Sequence, residues 1–240
     1  MQDLILPHCI TSYECGADKL MKPECFQHFC QEMAEEHADS YGFGYDWVMS
    51  NRTAWVQVQG DFELLRRPEW KEKIYLRTNT GKAGALLAGR FVEMTDEAGN
   101  VLARADLQWV IIHFDTRRPI PLKRTELPLD KPAVTICSPA NYPEWEAEAA
   151  PAAEAEQTAS RRDVDFNGHI NNSAYLIWVL DTLPEKLKPG EEIQRYRINF
   201  RRESHTGDTM HITHFAQGSF TRHLITCDGE IRAEIVIEWR

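Results

Sequence analysis

The 240-residue sequence has no apolar run near the roughly 18 residues of a membrane-spanning helix, so it offers no candidate for a helical span. It has no C-x-x-C pair. Its six cysteines, Cys9, Cys15, Cys25, Cys30, Cys137 and Cys227, lack the spacing of a structural zinc site and are expected to be free thiols. It lacks an excess of basic residues: the net charge is −10, which argues against nucleic acid as a general partner, because phosphate binding needs a basic face. The start, Met1-Gln2-Asp3-Leu4-Ile5-Leu6-Pro7-His8, has neither the basic and apolar regions of a signal peptide nor the Arg/Ser richness of a transit peptide. A cytoplasmic protein is therefore expected. The pair His211-x-x-His214 has a metal-like look. On a strand, however, residues three apart face opposite sides and do not share a metal.

What is present is a helix-then-strands pattern, met twice. Phe26, Phe29, Cys30, Met33, Ala34, His37 and Tyr41 recur at helical spacing and predict a helix over 23–41, with Pro23 suited to its first turn and Gly42 to its stop. Alternating segments predict strands over 54–64, 74–78, 85–95 and 101–114. On the first of these, Val56, Val58, Phe62 and Leu64 share a parity. Residues 125–157, rich in proline, alanine and glutamate, read as an extended acidic linker between a unit over 1–124 and a second over 158–240. In the second unit a helix over 171–183 precedes strands over 194–202, 209–216, 220–227 and 231–239. That helix is apolar all round over 174–180 and needs cover on every side. A curved antiparallel sheet wrapped around it supplies this, and two such units can pair their sheets edge to edge. The fold class expected is α+β.

The chemistry-bearing stretch is Asp165-Phe166-Asn167-Gly168-His169-Ile170-Asn171-Asn172-Ser173-Ala174-Tyr175, a polar, titratable turn feeding an apolar helix. Helix N-termini carry unpaired backbone N–H groups and favour negative charge. A carbonyl whose oxygen becomes anionic in a reaction would be stabilised there. The same residue types also cap helices and sit in structural turns, so Asp165, Asn167 and His169 each have an architectural reading as well. Tyr175 and Trp178 read as core, and Trp55 and Trp109 as either core or pocket lining.

Asp165-x-Asn167-x-His169-Ile170-Asn171-Asn172-x-x-Tyr175-x-x-Trp178 resembles the signature of the acyl-acyl-carrier-protein thioesterases. The likeness extends to Thr53-Ala54-Trp55, Arg66-Arg67-Pro68-Glu69-Trp70, Ala103-Arg104-Ala105 through Trp109-Val110, Thr116-Arg117-Arg118-Pro119 and Arg201-Arg202-Glu203. The resemblance implies a tandem, or double, hot-dog fold, with two antiparallel sheets each wrapped around a central helix. It also implies a long acyl substrate on an acyl carrier protein, and no metal or organic cofactor. It places the catalytic group on Asp165, Asn167, His169 and Glu203. Where plant members carry Cys directly after that Glu, this chain has Ser204, a remnant of a nucleophile position that favours attack by water. A thiol leaving group with a pKa near 8.5 departs without a strong acid, so a carboxylate base and oxyanion donors suffice. Glu203 is the first choice of base, Asp165 the alternative, and the backbone of Gly168 to Asn171 the expected donor set.

The first unit lacks an equivalent turn and is expected to hold the acyl chain, with Phe29 and Met33 setting its depth. Two basic groups, Arg117/Arg118/Lys123/Arg124 and Arg195/Arg197/Arg201/Arg202, are either solvated strand ends or docking patches for an acidic partner. An acyl-CoA thioesterase and a non-catalytic acyl-binding module are the competing readings, and a homodimer stays open.

Overall fold

The computed structural model describes residues 2–125, 127, 135–146, 150–165 and 168–240. The chain divides into two compact units, Met1–Ser138 and Pro139–Arg240.

In the first unit, β1 (Leu4–Cys9), β2 (Thr53–Leu64), β3 (Lys73–Ala83), β4 (Leu87–Asp96) and β5 (Val101–His113) form an antiparallel sheet in the order β1-β3-β4-β5-β2. Helix α1 (Pro23–Asp39) packs on β3 and β4, and a short helix α2 (Tyr45–Ser50) leads into β2. The apolar stripe of α1 explains its docking. Phe26, Phe29, Cys30 and Met33 are all buried on it.

Strand β2 departs from the parity expected of it. Gln57 lies opposite Trp109 but Gln59 lies opposite Gln108, so Val58 is an extra residue, a β-bulge. The buried face therefore switches from Thr53 and Gln57 before the bulge to Phe62 and Leu64 after it. Val56 and Val58 do not share the face of Phe62. The same switch turns Trp55 toward the α1 side of the sheet, where it lines a cavity with that helix.

In the second unit, β6 (Ala153–Thr158), β7 (Ile193–Phe200), β8 (Thr209–Gln217), β9 (Phe220–Cys227) and β10 (Glu230–Trp239) take the order β7-β10-β9-β8-β6, again antiparallel, with α3 (Asn172–Thr182) between β6 and β7 in sequence. Seven of the eight residues 173–180 of a helix without a polar face would be costly in water. Here Ser173, Ala174, Tyr175, Leu176, Trp178 and Val179 are buried. Each unit is thus a hot-dog, and the fold is α+β.

Both units carry a strand that the sequence pattern did not announce. β1 contains Pro7, which cannot donate to a ladder, and it lies at the end of its sheet, bonded to β3 alone. β6 falls inside the stretch read as linker. Its Ala-Glu-Ala-Glu run alternates half-buried alanines with exposed glutamates and pairs with β8. Alanine and glutamate are weak strand formers, and the pairing partner supplies what local propensity does not. Among the described residues, no helix is long and apolar enough to cross a membrane.

Candidate active site

The 165–171 turn is built by Asp165. Its backbone N–H donates to the His169 carbonyl (2.8 Å), its carbonyl accepts from Gly168 N–H (3.1 Å), and its Oδ1 accepts from His169 N–H (3.2 Å). Gly168 stands at φ +82°, a left-handed conformation that side-chain-bearing residues avoid. Val164 and Ile170 then form a bridge, and Asn171 N–H donates to the Asp163 carbonyl (2.7 Å). Asn171 is the N-cap of α3. Its Oδ1 accepts from both the backbone N–H (2.9 Å) and the hydroxyl (2.8 Å) of Ser173.

A second segment is tied to this turn. After β7, Arg201 N–H donates to the Arg232 carbonyl (2.8 Å), and Ile170 N–H donates to the Ser204 carbonyl (3.3 Å). The last bond brings the backbone of the 203–204 segment beside the turn at the mouth of α3, where Glu203 is half-buried. The Tyr175 hydroxyl donates to Ser204 Oγ at 2.8 Å. Burial pushes the Tyr175 phenol up, the Ser204 bond opposes that, and the charge of Glu203 is close enough to add to the rise. His205 stands 6.1 Å from His169, ring centre to ring centre, a neighbour the sequence reading passed over.

The assembly brings Asp165, Gly168, His169, Asn171, Glu203 and Ser204 together. Asn167 lies outside the described residues. Two expectations change in detail. The backbone N–H groups of Gly168, His169, Ile170 and Asn171, expected to serve an oxyanion, each already have an internal acceptor. Among the described residues, the side-chain amide of Asn171 is one donor left at this end of α3, and because Oδ1 accepts from a backbone N–H the assignment of its oxygen and nitrogen is fixed. Ser204 is 1% exposed, with its hydroxyl engaged by Tyr175 and directed at Met210 Sδ (4.0 Å). A buried, doubly engaged hydroxyl is a structural group. Tyr175 and Trp178 are core, their rings 5.2 Å apart.

No cluster of three metal-ligating side chains occurs among the described residues. His211 pairs with Glu156 on the exposed face (3.0 Å), whereas His214 is buried against His223 (Nδ1 to Nδ1, 2.8 Å), so the two sides of β8 separate them. All six cysteines are free. In the first unit a cavity of about 90 Å³ lies between α1 and the sheet, lined by Trp55 and Trp109 among others. Phe29 and Met33, expected to set the depth of such a pocket, are core residues and do not line it.

Comparison with known proteins matches residues 7–125 to the acyl-ACP thioesterase N-terminal domain and residues 146–240 to the acyl-ACP thioesterase C-terminal domain. The chain is 27% identical over 221 residues to an oleoyl-acyl carrier protein thioesterase of Arabidopsis thaliana, covering 84% of this chain and 59% of the relative. It is 29% identical over 207 residues to a palmitoyl-acyl carrier protein thioesterase of Cuphea hookeriana, covering 81% and 50%. The chain thus spans between half and three fifths of the length of these curated relatives. Among solved structures, an acyl-ACP thioesterase of Bacteroides thetaiotaomicron superposes with a TM-score of 0.86 at 20% identity, over 99% of this chain and 98% of its own. The 12:0-ACP thioesterase of Umbellularia californica gives 0.83 at 22%, over 99% and 97%, and at these identities the likeness is one of fold. With both domain families matched in order along the sequence, the chain belongs to the acyl-ACP thioesterase family.

Proposed function

We propose that the chain hydrolyses the thioester of a fatty acyl group carried on acyl carrier protein, releasing the free acid. The observation that carries this reading is the Ile170 N–H to Ser204 carbonyl bond, which sets the Asp165–His169 turn beside Glu203 at the N-terminus of α3. Glu203 takes a proton from water as it attacks the carbonyl carbon. Asp165 has one carboxylate oxygen committed to His169 N–H and serves as the organiser of the turn. The His169 ring makes no hydrogen bond among the described residues and is available to orient water or thioester. Asn171 Nδ2 donates to the carbonyl oxygen as its charge develops. The C–S bond then breaks and the thiolate leaves. Ser204, buried behind Tyr175, takes no part as nucleophile. A cytoplasmic setting belongs to the same proposal, although the plant relatives are chloroplastic in name.

Arg118, Lys123 and Arg124 are exposed and make no ion pair among the described residues. In the other basic group, Arg195 pairs with Glu238 (2.9 Å), Arg202 with Glu230 (3.1 Å), and Arg197 covers the Tyr142 ring. The 118–124 group is therefore the better dock for an acidic carrier.

Turnover of acyl-carrier protein by folded His169→Ala and Glu203→Ala variants tests the chemistry. Each is expected to lose about a hundredfold or more in kcat, and full activity in both would sink the mechanism. Reversing charge at Arg118 and Arg124 tests the partner. KM for the carrier-linked substrate should rise about tenfold while KM for acyl-CoA holds. Equal changes for both substrates would move the reading to a CoA thioesterase.

A further inference from the structure

Thioester hydrolysis gathers negative charge in two places, on the carbonyl oxygen as water adds and on sulfur as the C–S bond breaks. In the mechanism proposed here Asn171 Nδ2 meets the first, and the second has no donor. His205 stands where one is wanted. The Ile170 N–H to Ser204 carbonyl bond (3.3 Å) ties two segments together. The residues flanking it, His169 on one and His205 on the other, bring their rings to 6.1 Å, centre to centre, at an interplanar angle of 60°. Burial alternates along Glu203-Ser204-His205 as it does in an extended chain. Ser204 is buried and bonded to Tyr175, Glu203 is half-buried and His205 is exposed. His205 therefore lies on the Glu203 side of the segment, away from the core. Its backbone is fixed. His205 N–H donates to Asp208 Oδ2 (2.8 Å), and its carbonyl accepts from Asp208 N–H (3.1 Å). Gly207, at φ +91°, completes this turn. The turn is itself anchored, because Gly207 N–H donates to the Ala159 carbonyl (2.9 Å) and Ala159 N–H to the Asp208 carbonyl (2.9 Å). Neither the His169 nor the His205 ring has a hydrogen-bond partner among the described residues.

We propose that His205 is a catalytic residue for the departure step, an N–H donor to the thioester sulfur. An imidazole carries an N–H in either charge state, so the role does not depend on its protonation. Two hydrogen bonds of about 2.9 Å, from nitrogens set off the ring centres, span the gap between the rings, so a single atom can meet His169 and His205 together. His205 is the more exposed of the two, on the side from which a carrier arm arrives out of solvent. As the bond between the carbonyl carbon and sulfur breaks, its electron pair moves onto sulfur. A donor binds the resulting thiolate more strongly than the neutral thioester sulfur, so the contact lowers the barrier rather than tightening the ground state. The thiolate then leaves and takes its proton from solvent. This role rests on the hydrolase reading and adds to it the group that faces the leaving atom.

Turnover of two thioesters of the same acyl group by the full-length chain tests it. One is carried on acyl carrier protein. The other is the S-phenyl thioester, whose arenethiolate spreads its charge into the ring and leaves without help. His205→Ala should lose about tenfold in kcat on the carrier thioester and less than about twofold on the S-phenyl thioester. A merely structural role for the side chain would move both alike. His205→Asn and His205→Gln keep an N–H near the positions of Nδ1 and Nε2, and one of the two should recover most of the loss. Equal losses on both thioesters, no loss on the carrier thioester, or recovery in neither amide variant would overturn the role of His205 and leave the hydrolase reading standing. No turnover of either thioester by the wild type would overturn that reading and this role with it.

Discussion

Asn171 uses the two ends of its side-chain amide for different tasks, and a single substitution separates them. Oδ1 caps α3 through Ser173, and Nδ2 is left as a donor at the site. Asn171→Asp keeps the cap, since aspartate accepts equally well and suits a helix N-terminus, but it removes the donor. Thermal stability should hold while kcat falls about a hundredfold. A loss of stability with kcat intact would reverse the assignment. The two carboxylates can be told apart in the same way. Asp165→Asn preserves the acceptor that His169 N–H uses, so a turn-building role predicts that most activity survives, whereas Glu203→Gln should abolish proton removal from water. The opposite ranking in a kcat comparison would make Asp165 the base. As candidates, Asp165 and His169 stand out in the sequence because they share one contiguous polar turn, whereas Glu203 enters only through the family resemblance. The donor role proposed for the Asn171 side chain leaves no such trace, because it follows from which N–H groups the folded turn consumes. Arg90 sits at the parity of Ala88, Val92 and Met94, a charge on the inward side of β4.

Helix α3 is joined to β8, β9 and β10 by one directional chain of hydrogen bonds. Trp239 Nε1–H donates to Thr221 Oγ1 (2.8 Å), Thr221 lies 2.9 Å from His223 Nε2, the two histidines meet at 2.8 Å, and His214 Nε2 lies 3.3 Å from Thr182 Oγ1. Thr182 donates to the Trp178 carbonyl (2.6 Å), so it accepts from His214, which in turn must accept from His223, which must accept from Thr221. Every member is satisfied with both imidazoles neutral. Thr221→Val breaks the chain at its second link and strands both an indole N–H and an imidazole nitrogen. The expected cost is about 1–3 kcal/mol, read from the denaturant midpoint, and a neutral substitution would show that the chain adds nothing to stability. At this scale most strands were readable because their alternation is strong. The bulge at Val58 was not, since a one-residue insertion leaves composition unchanged while exchanging the faces of half a strand. β6 was hidden by its alanines and glutamates, although the period of two was there to be seen.

Over the whole molecule, the buried histidines set a pH response. Burial holds His223 well below the ordinary histidine value, with His214 adding to the effect, and burial lowers His214, His37 and His28 as well. The unfolded chain therefore binds more protons than the folded one below the unfolded histidine value near 6.5. Their contribution is intact above about pH 6.5 and is lost as the solution is acidified, by up to about 1.4 kcal/mol per pH unit for each histidine. Glu35 and Asp106, whose carboxyls burial pushes up, act in the opposite sense and reduce the net slope. Unfolding followed at pH 7.5, 6.0 and 5.0 should show the decline, and a flat profile would refute it. The placement of β1 bears on how the chain comes to be folded at all. Leu4 pairs with Thr78 and Cys9 with Lys73, so β1, once synthesised, has no partner until about 70 further residues have followed. At about 5–20 residues per second that is a wait of several seconds for an apolar Leu4-Ile5-Leu6 segment. During those seconds the nascent chain is most open to mispairing with its neighbours.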